Sequence, residues 1–343
     1  MADYVACNLQ ELNDKLVAVF QGVDMGPADA QTVVNSLLDA EKSHVESHGL
    51  IRLKAYVDRI VSGNINVHPK LELKMHGAIA TLDGDNGIGQ VVTSYATKKC
   101  IELAKKNGIC AISIHNSNHF GTAGFYTNQM ARAGCLGMST TNAGPTVAPF
   151  GGMEPYLGTN PIAISYPAKK QIFCCDMATS TVARGKILVY ERKGDAIPLG
   201  WAIDAEGKET TDASKAANGG VLLPLGGYKG YGLGMVAETL SVLISGAKLS
   251  CETVDMFHKD GGNADVGHFL CALDIAHFTN LEAFEERAQK WFENLKALRR
   301  RPGMEIQIPG EPEDKARAQI TTTLKVLSKT MNIVNEYYAK YKK

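Results

Sequence analysis

The sequence predicts an α/β protein with a helical part at its N-terminus and a closing helix at its C-terminus. Three observations carry this reading. Apolar residues recur at helical spacing from residue 8 to 62, short apolar runs alternate with glycine turns and helical stretches from Ala78 onward, and residues 319–341 return to a one-sided apolar pattern. At 343 residues and 45% hydrophobic, the chain can bury a large core and is long for one domain, so one large domain with smaller attachments is expected. The pattern divides it into residues 1–75, 76–312 and 313–343.

In the first part, Leu9, Leu12, Leu16, Val19 and Phe20 share one helix face, and Pro27 opens a second helix through Val33, Val34, Leu37 and Leu38. A third helix carries Leu53, Tyr56, Val57 and Ile60. Between the last two lies SHVESHGLIR, residues 43–52, where Gly49 either breaks the helix or lets backbone approach something bulky. If the turn after Gly49 is helical, His48 and Arg52 share a face.

From Ala78 the pattern reads strand, glycine turn, helix. Gly87-Ile88-Gly89 precedes the helix as in a dinucleotide fingerprint, but Val92 stands at the third glycine position, so this is not a Rossmann motif. An EF-hand reading of Asp83–Gly87 fails as well, because Ser94 occupies the position of the chelating Glu. Residues 108–114 form a buried strand that delivers His115 and His119 at its end, where α/β folds tend to place chemistry. CLGMSTTNA, PIAISYPA and IFCCDMATS follow as strands with polar exits at Ser139, Thr141, Asn142, Thr159, Asn160, Asp176, Thr179 and Ser180. Residues 193–220, around Trp201, read as a loop or small excursion. Gly226, Gly227, Lys229, Gly230, Gly232 and Gly234 then precede an apolar helix; a glycine loop with one Lys at a helix N-terminus suits an anion, although it is not a Walker motif.

Residues 266–278 are expected as a strand, and 280–298 as a helix with Phe284, Ala288, Trp291, Phe292 and Leu295 inward. IQIPGEPEDKARAQ reads as strand, loop and helix start, and the last helix as running from about Gln319 to Tyr341. Arg299-Arg300-Arg301 reads as a solvated helix end.

Lys plus Arg and Asp plus Glu balance at 36 each, so overall charge points to neither nucleic acid nor an anionic membrane. No signal-peptide pattern opens the chain, and no apolar run approaches the roughly 18 residues needed to span a bilayer. The eight cysteines are scattered without a C-x-x-C pair, and Cys174 and Cys175 read as small hydrophobes of a core strand. A soluble, cytoplasmic protein with free thiols is expected.

Three chemistries compete. His44/His48 and His115/His119 have a spacing that binds zinc on a helix, but neither has the Glu of H-E-x-x-H, so no metal site is expected. Nucleophilic hydrolysis lacks G-x-S-x-G. Proton transfer coupled to hydride transfer needs a group that titrates near neutrality, a fixed cation for a carboxylate and a phosphate loop; His48 or His119, Arg52 and the 226–234 loop supply these types. A non-catalytic dinucleotide-binding protein is the alternative from another class.

The segments SHGLIRL, DGDNGIGQVV, NSNHFGTAGFYTNQMA, PFGGMEPYLGTNPIAISYPA, DMATSTVARGKI, GWAIDAEGKETTD, LPLGGYKGYGLGMVAETLSVLISGA and IPGEPE, in order from about residue 43 to 313, closely resemble the type-2 malate/L-lactate dehydrogenase family. The resemblance implies an NAD(P)-dependent oxidoreductase of small 2-hydroxy or 2-oxo acids, usually dimeric, with a nicotinamide-binding domain that is not a Rossmann fold and has a mixed sheet. Sulfolactate, ureidoglycolate and 2,3-diketogulonate dehydrogenases and a cyclic imino acid reductase belong to the same family. Carried over by motif, His48, Arg52 and His119 fall in the substrate pocket as catalytic groups, with Ser47, Thr159 and Asn160 beside the substrate. Cofactor contacts fall on Ser139, Asn142, Asp176, Met177, Ala178, Thr179, Lys229, Gly310 and Glu311. NAD is the expected cofactor, with NADP as the alternative, and which histidine moves the proton stays open. His115 departs from the pattern of many relatives.

Overall fold

The computed structural model describes residues 3–254, 256 and 261–342. β1 (Tyr4–Asn8) leads into α1 (Leu9–Gly22), where the Asn8 side chain caps the first turn by accepting from the Gln10 and Glu11 N–H groups. α2 (Pro27–Lys42) starts on Pro27, whose missing N–H is one the first turn leaves unpaired anyway. Two 3₁₀ turns, Glu46–His48 and Leu50–Arg52, hand the chain to α3 (Leu53–Val61). The expected apolar faces close on one core that includes Leu16, Phe20, Val33, Leu37, Leu53 and Val57. Full burial of each such side chain contributes about 1.5–3 kcal/mol, so tertiary packing rather than propensity holds these short helices.

The second core lies under a mixed sheet. β2 (Glu72–His76) and β3 (Ile79–Asp83) form a hairpin, and α4 (Gly89–Asn107) crosses to β4 (Ile109–Ser117), which runs parallel to β3. α5 (Gly124–Arg132), β5 (Cys135–Thr141), β6 (Ile162–Pro167) and β7 (Ile172–Met177) follow. The excursion is wider than the expected 193–220: it runs from α6 (Arg184–Lys193) through β8 (Ala202–Ile203) and α7 (Ala213–Ala217) to β9 (Val221–Leu222). α8 (Tyr228–Glu238) continues into a π-helical turn at Thr239–Leu243, and β10 (Val266–Asp274), α9 (Leu281–Lys296), α10 (Glu311–Ala318), β11 (Thr323–Leu327) and α11 (Ser328–Tyr341) complete the chain. The large sheet has the order β2-β3-β4-β10-β5-β6-β7. Apart from the β3/β4 pair its neighbours are antiparallel, with the late strand β10 inserted between β4 and β5.

Four expectations need correction. The last helix is two elements: Thr323–Leu327 alternates, with Leu324 and Val326 buried and Thr323 and Lys325 exposed, and it pairs antiparallel with the equally unexpected β1. β-Branched threonines and a period of two favour a strand there, and α11 then packs back on α1 and α3. Residues 306–308 form no strand. Trp291 lies outward, 53% exposed, because the buried face of α9 is narrow and centred on Ala288 and Phe292. β7 is an edge strand, so Cys174 and Cys175 are half-buried rather than in the core; burial still pushes the Cys174 thiol up to about 11, away from reactivity. All eight cysteines are free. Among the described residues no helix is long and apolar enough to cross a membrane.

Candidate active site

The turn from Ser47 to Arg52 is shaped by a buried acid that sequence reasoning missed. Glu41, on the last turn of α2, accepts from the Leu50 N–H at 2.7 Å, and a Cβ on Gly49 would lie 2.3 Å from the same carboxylate oxygen. Of its two readings, Gly49 thus satisfies close approach. Burial raises the Glu41 carboxyl to about 7, against the pull of the Leu50 N–H. Arg52 folds back over the turn, its Nε donating to the Ser47 carbonyl at 2.6 Å and its Nη1 to Met256 Sδ at 3.4 Å. The Ser47 hydroxyl lies 3.0 Å from His48 Nδ1.

His119 arrives from the other side, just past the end of β4. Its loop fits because α4 begins on Gly89: a Cβ there would stand 2.1 Å from the Asn118 carbonyl and 2.6 Å from that of His119. The glycine that looked like half a dinucleotide fingerprint therefore serves this contact. The His119 and His48 rings stack at 5.5 Å with 22° between their planes. Tyr56, from α3, places its hydroxyl 2.7 Å from His119 Nδ1 and accepts from Gln90 Nε2 at 2.8 Å. Behind the loop, fully buried His268 is bonded by Thr141 Oγ1 at 2.7 Å and Ser117 Oγ at 2.9 Å and stacks on Phe120 at 4.6 Å. Tyr56, Gln90 and His268 were also missed; the signal available was a polar residue inside each apolar run.

Burial, reinforced by Arg52, lowers His48 to about 4. His119 falls well below its ordinary range through burial, then Arg52, His48 and His268. Burial lifts the Tyr56 hydroxyl to about 12. Two neutral imidazoles beside a fixed guanidinium can bind an anionic carbonyl compound, and an arriving negative charge favours the protonated imidazole that an acid needs. Neither H-x-x-x-H pair lies on one α-helix, and among the described residues no three His, Cys, Asp or Glu side chains gather as a metal group.

The remaining candidates fall into three places. Asp176 is the next-to-last residue of β7 and exposed as a whole, yet its carboxyl turns under the first turn of α5, where the Gly124 N–H donates at 2.7 Å; desolvation there raises it to about 6. This joins Asp176 to the loop that carries His119. Gly310 packs on Cys174 of β7, and Glu311 is bound by Lys296 and Lys315, which outweigh burial and hold it near 2. Met177 is exposed and Ala178 half-buried beside them. Thr159, Asn160 and Thr179 meet α8: Thr179 Oγ1 donates to the Thr159 carbonyl at 3.1 Å, and Asn160 Nδ2 donates to buried Glu238 at 2.6 Å. Asn142 spends its amide on the Lys248 carbonyl and the Gly267 N–H, so both asparagines are engaged within the chain. Ser139 is fully buried in β5 and its hydroxyl finds no partner. Lys229 stands exposed in the first turn of α8, after Gly226 and Gly227 at φ +61° and +68°; the expected glycine loop is only these two residues, since Gly230, Gly232 and Gly234 lie within the helix rather than before it. An exposed ammonium at a helix start suits a phosphate of a dinucleotide and the Asp176 carboxylate a hydroxyl, whereas the Ser139 hydroxyl, fully buried in β5, offers no surface to one.

Residues 7–331 match the family model described as malate/L-lactate dehydrogenase. Malate dehydrogenase of Pyrococcus abyssi is 42% identical over 97% of this chain and 94% of that protein. L-sulfolactate dehydrogenase of Methanocaldococcus jannaschii is 37% identical over 90% of this chain and 89% of that protein. The solved structure of malate dehydrogenase from Pyrococcus horikoshii superposes with a TM-score of 0.91 at 37% identity, over 99% of this chain and 97% of that one.

Proposed function

Because the chain belongs to the malate/L-lactate dehydrogenase family, and is therefore an oxidoreductase acting on CH–OH donors, we propose that it interconverts malate and oxaloacetate with NAD as cofactor. The observation that carries this reading is the stacked His48–His119 pair beside Arg52. The bound nicotinamide supplies or takes the hydride. Arg52 holds the substrate carboxylate through its planar fork, Ser47 steadies His48, and a histidine exchanges the proton of the C2 oxygen. Thr159 and Asn160 line the substrate side. The cofactor lies along Asn142, Asp176 to Thr179, Lys229, Gly310 and Glu311.

Two copies pair through α8 and its continuation. Leu233, Val236, Leu243 and Ile244 form an exposed apolar stripe there, 45–64% exposed, which a second copy would cover. Light scattering should give a dimer, and Leu243→Glu should weaken it. Eight unpaired thiols suit the cytoplasm. The deciding assay follows oxidation of NADH and of NADPH with oxaloacetate, pyruvate, sulfopyruvate, 2,3-diketogulonate and a cyclic imine. No turnover with any of them defeats the reading, and a sulfopyruvate or imine preference moves the substrate within the family.

A further inference from the structure

A neutral histidine carries its proton on either ring nitrogen, and the choice decides what it offers a substrate oxygen. Three groups bear on His119 Nδ1. The Tyr56 hydroxyl is 2.7 Å away, the Gly121 N–H points at it from 3.4 Å, and Gln90 Nε2 donates to the Tyr56 oxygen at 2.8 Å. A hydroxyl rotates and an amide can be turned end for end, but a backbone N–H is fixed by its peptide plane. Gly121 therefore requires an acceptor at Nδ1. With a lone pair there, the Tyr56 hydroxyl hydrogen is drawn to the same nitrogen, its oxygen is left to accept from Gln90, and all three bonds agree in direction. The opposite order would set an Nδ1–H against the Gly121 N–H. Tyr56 and Gln90 are 2% and 0% exposed, so neither can exchange its partner for water.

We propose that Tyr56, oriented by Gln90 and backed by Gly121, is a positioning residue that fixes neutral His119 with its proton on Nε2, so that His119 meets the substrate's C2 oxygen as a hydrogen-bond donor and proton transfer falls to His48. The proposal rests on the substrate site given above. Nε2–H has no lone pair with which to take a hydroxyl proton. His48 can offer either nitrogen, because the Ser47 hydroxyl beside its Nδ1 can donate or accept. In reduction the C2 carbon gains hydride from the reduced nicotinamide, the oxygen gains the proton of a His48 imidazolium, and the His119 N–H stays intact while bearing on the developing charge. The groups that face His119 are Arg52, His48, His268 and Tyr56.

Nitrogen NMR of histidine-labelled protein tests this without turnover, His119 being assigned by its loss in His119→Gln. Wild-type His119 should be protonated at Nε2 and bare at Nδ1. Tyr56→Phe should admit the Nδ1–H form, lower kcat by up to about a hundredfold and leave the KM of the 2-oxo acid within about twofold. A wild-type proton on Nδ1 overturns the proposal even if the variant does not fold, as would a Tyr56→Phe enzyme with unchanged tautomer and kcat. An enzyme inactive on every 2-oxo acid would defeat the functional reading alone, since the tautomer is read independently.

Discussion

On the helical wall of the cleft, Ser47, His48, Arg52 and Tyr56 spend their polar groups on one another and on His119, at 2.6–3.0 Å. Among the residues proposed to hold the cofactor, Lys229 and Met177 face solvent, and Glu311 is tied to Lys296 and Lys315. The first wall is built in advance: its geometry does not wait for a ligand, and its histidines are held neutral by burial. The second is mixed: Lys229 and Met177 stand in solvent, while Asn142, Asp176 and Glu311 are engaged within the chain. Chemistry demands placement within fractions of an ångström, whereas binding a long, flexible dinucleotide can be shared among many weak contacts. The two walls should therefore respond to mutation very differently.

The largest effect is expected at the histidines proposed to meet the reacting atoms. His48→Ala should lower kcat by about 100- to 10,000-fold, the usual worth of a placed proton donor, and His119→Gln, which disturbs a fixed N–H donor to the C2 oxygen, by up to about 100- to 1,000-fold. If both variants turned over near the wild-type rate, the helical wall would be scaffold only and the comparison would collapse. Arg52→Lys comes next. It keeps the charge but loses the fork and the bond to the Ser47 carbonyl, so KM for the 2-oxo acid should rise by about tenfold or more with a smaller change in kcat. Initial-rate kinetics separate the two.

The helices of this wall were legible in the sequence because their cores are local: Leu12, Leu16 and Phe20, or Leu53, Tyr56 and Val57, announce their faces by spacing alone. His48, Arg52 and His119 could be picked out as chemical types, yet their meeting is a long-range event that no local pattern carries. Tyr56 was visible as an apolar-face residue; its hydroxyl contact with His119 spans 63 residues. Glu41 was hidden in a helical run because a carboxylate on a helix is ordinarily solvated. β1 and β11 failed for a related reason: each is a short strand that stands only through its partner, more than 300 residues away in the chain. Asn142 and Asn160 were legible as polar strand exits, but the sequence could not reveal that Gly267, Lys248 and Glu238 would engage them inside the fold.

Glu41 ties the enclosure of the helical wall to stability. Its carboxyl, buried under the turn that bears His48, is raised to about 7 in the folded protein, whereas an unfolded Glu titrates near 4.3. Ionising it therefore costs the folded state, and stability is lost as pH rises from about 4.3 toward 7. Glu41→Gln keeps an acceptor for the Leu50 N–H and removes that cost. Urea unfolding should show the variant gaining on wild type between pH 5 and pH 8, by up to about 3 kcal/mol. A gap that does not vary with pH would mean that Glu41 ionises as a surface carboxylate does, and that the wall is less enclosed than its geometry implies.

The smallest effect should fall on Lys229. Its ammonium is exposed in the first turn of α8, where water and salt screen whatever it touches, and contacts of that kind change binding by little. Lys229→Ala should raise the KM for the dinucleotide by about two- to fivefold, and less at high ionic strength, while kcat and the KM for the 2-oxo acid stay close to wild type. The salt dependence carries the argument: a contact that screens away belongs to an open rim. Should the substitution instead abolish turnover at every cofactor concentration, Lys229 would be held in a closed, desolvated site once the dinucleotide binds. The rim would then be assembled by its ligand rather than loose, and the contrast between the walls would be one of timing instead of strength.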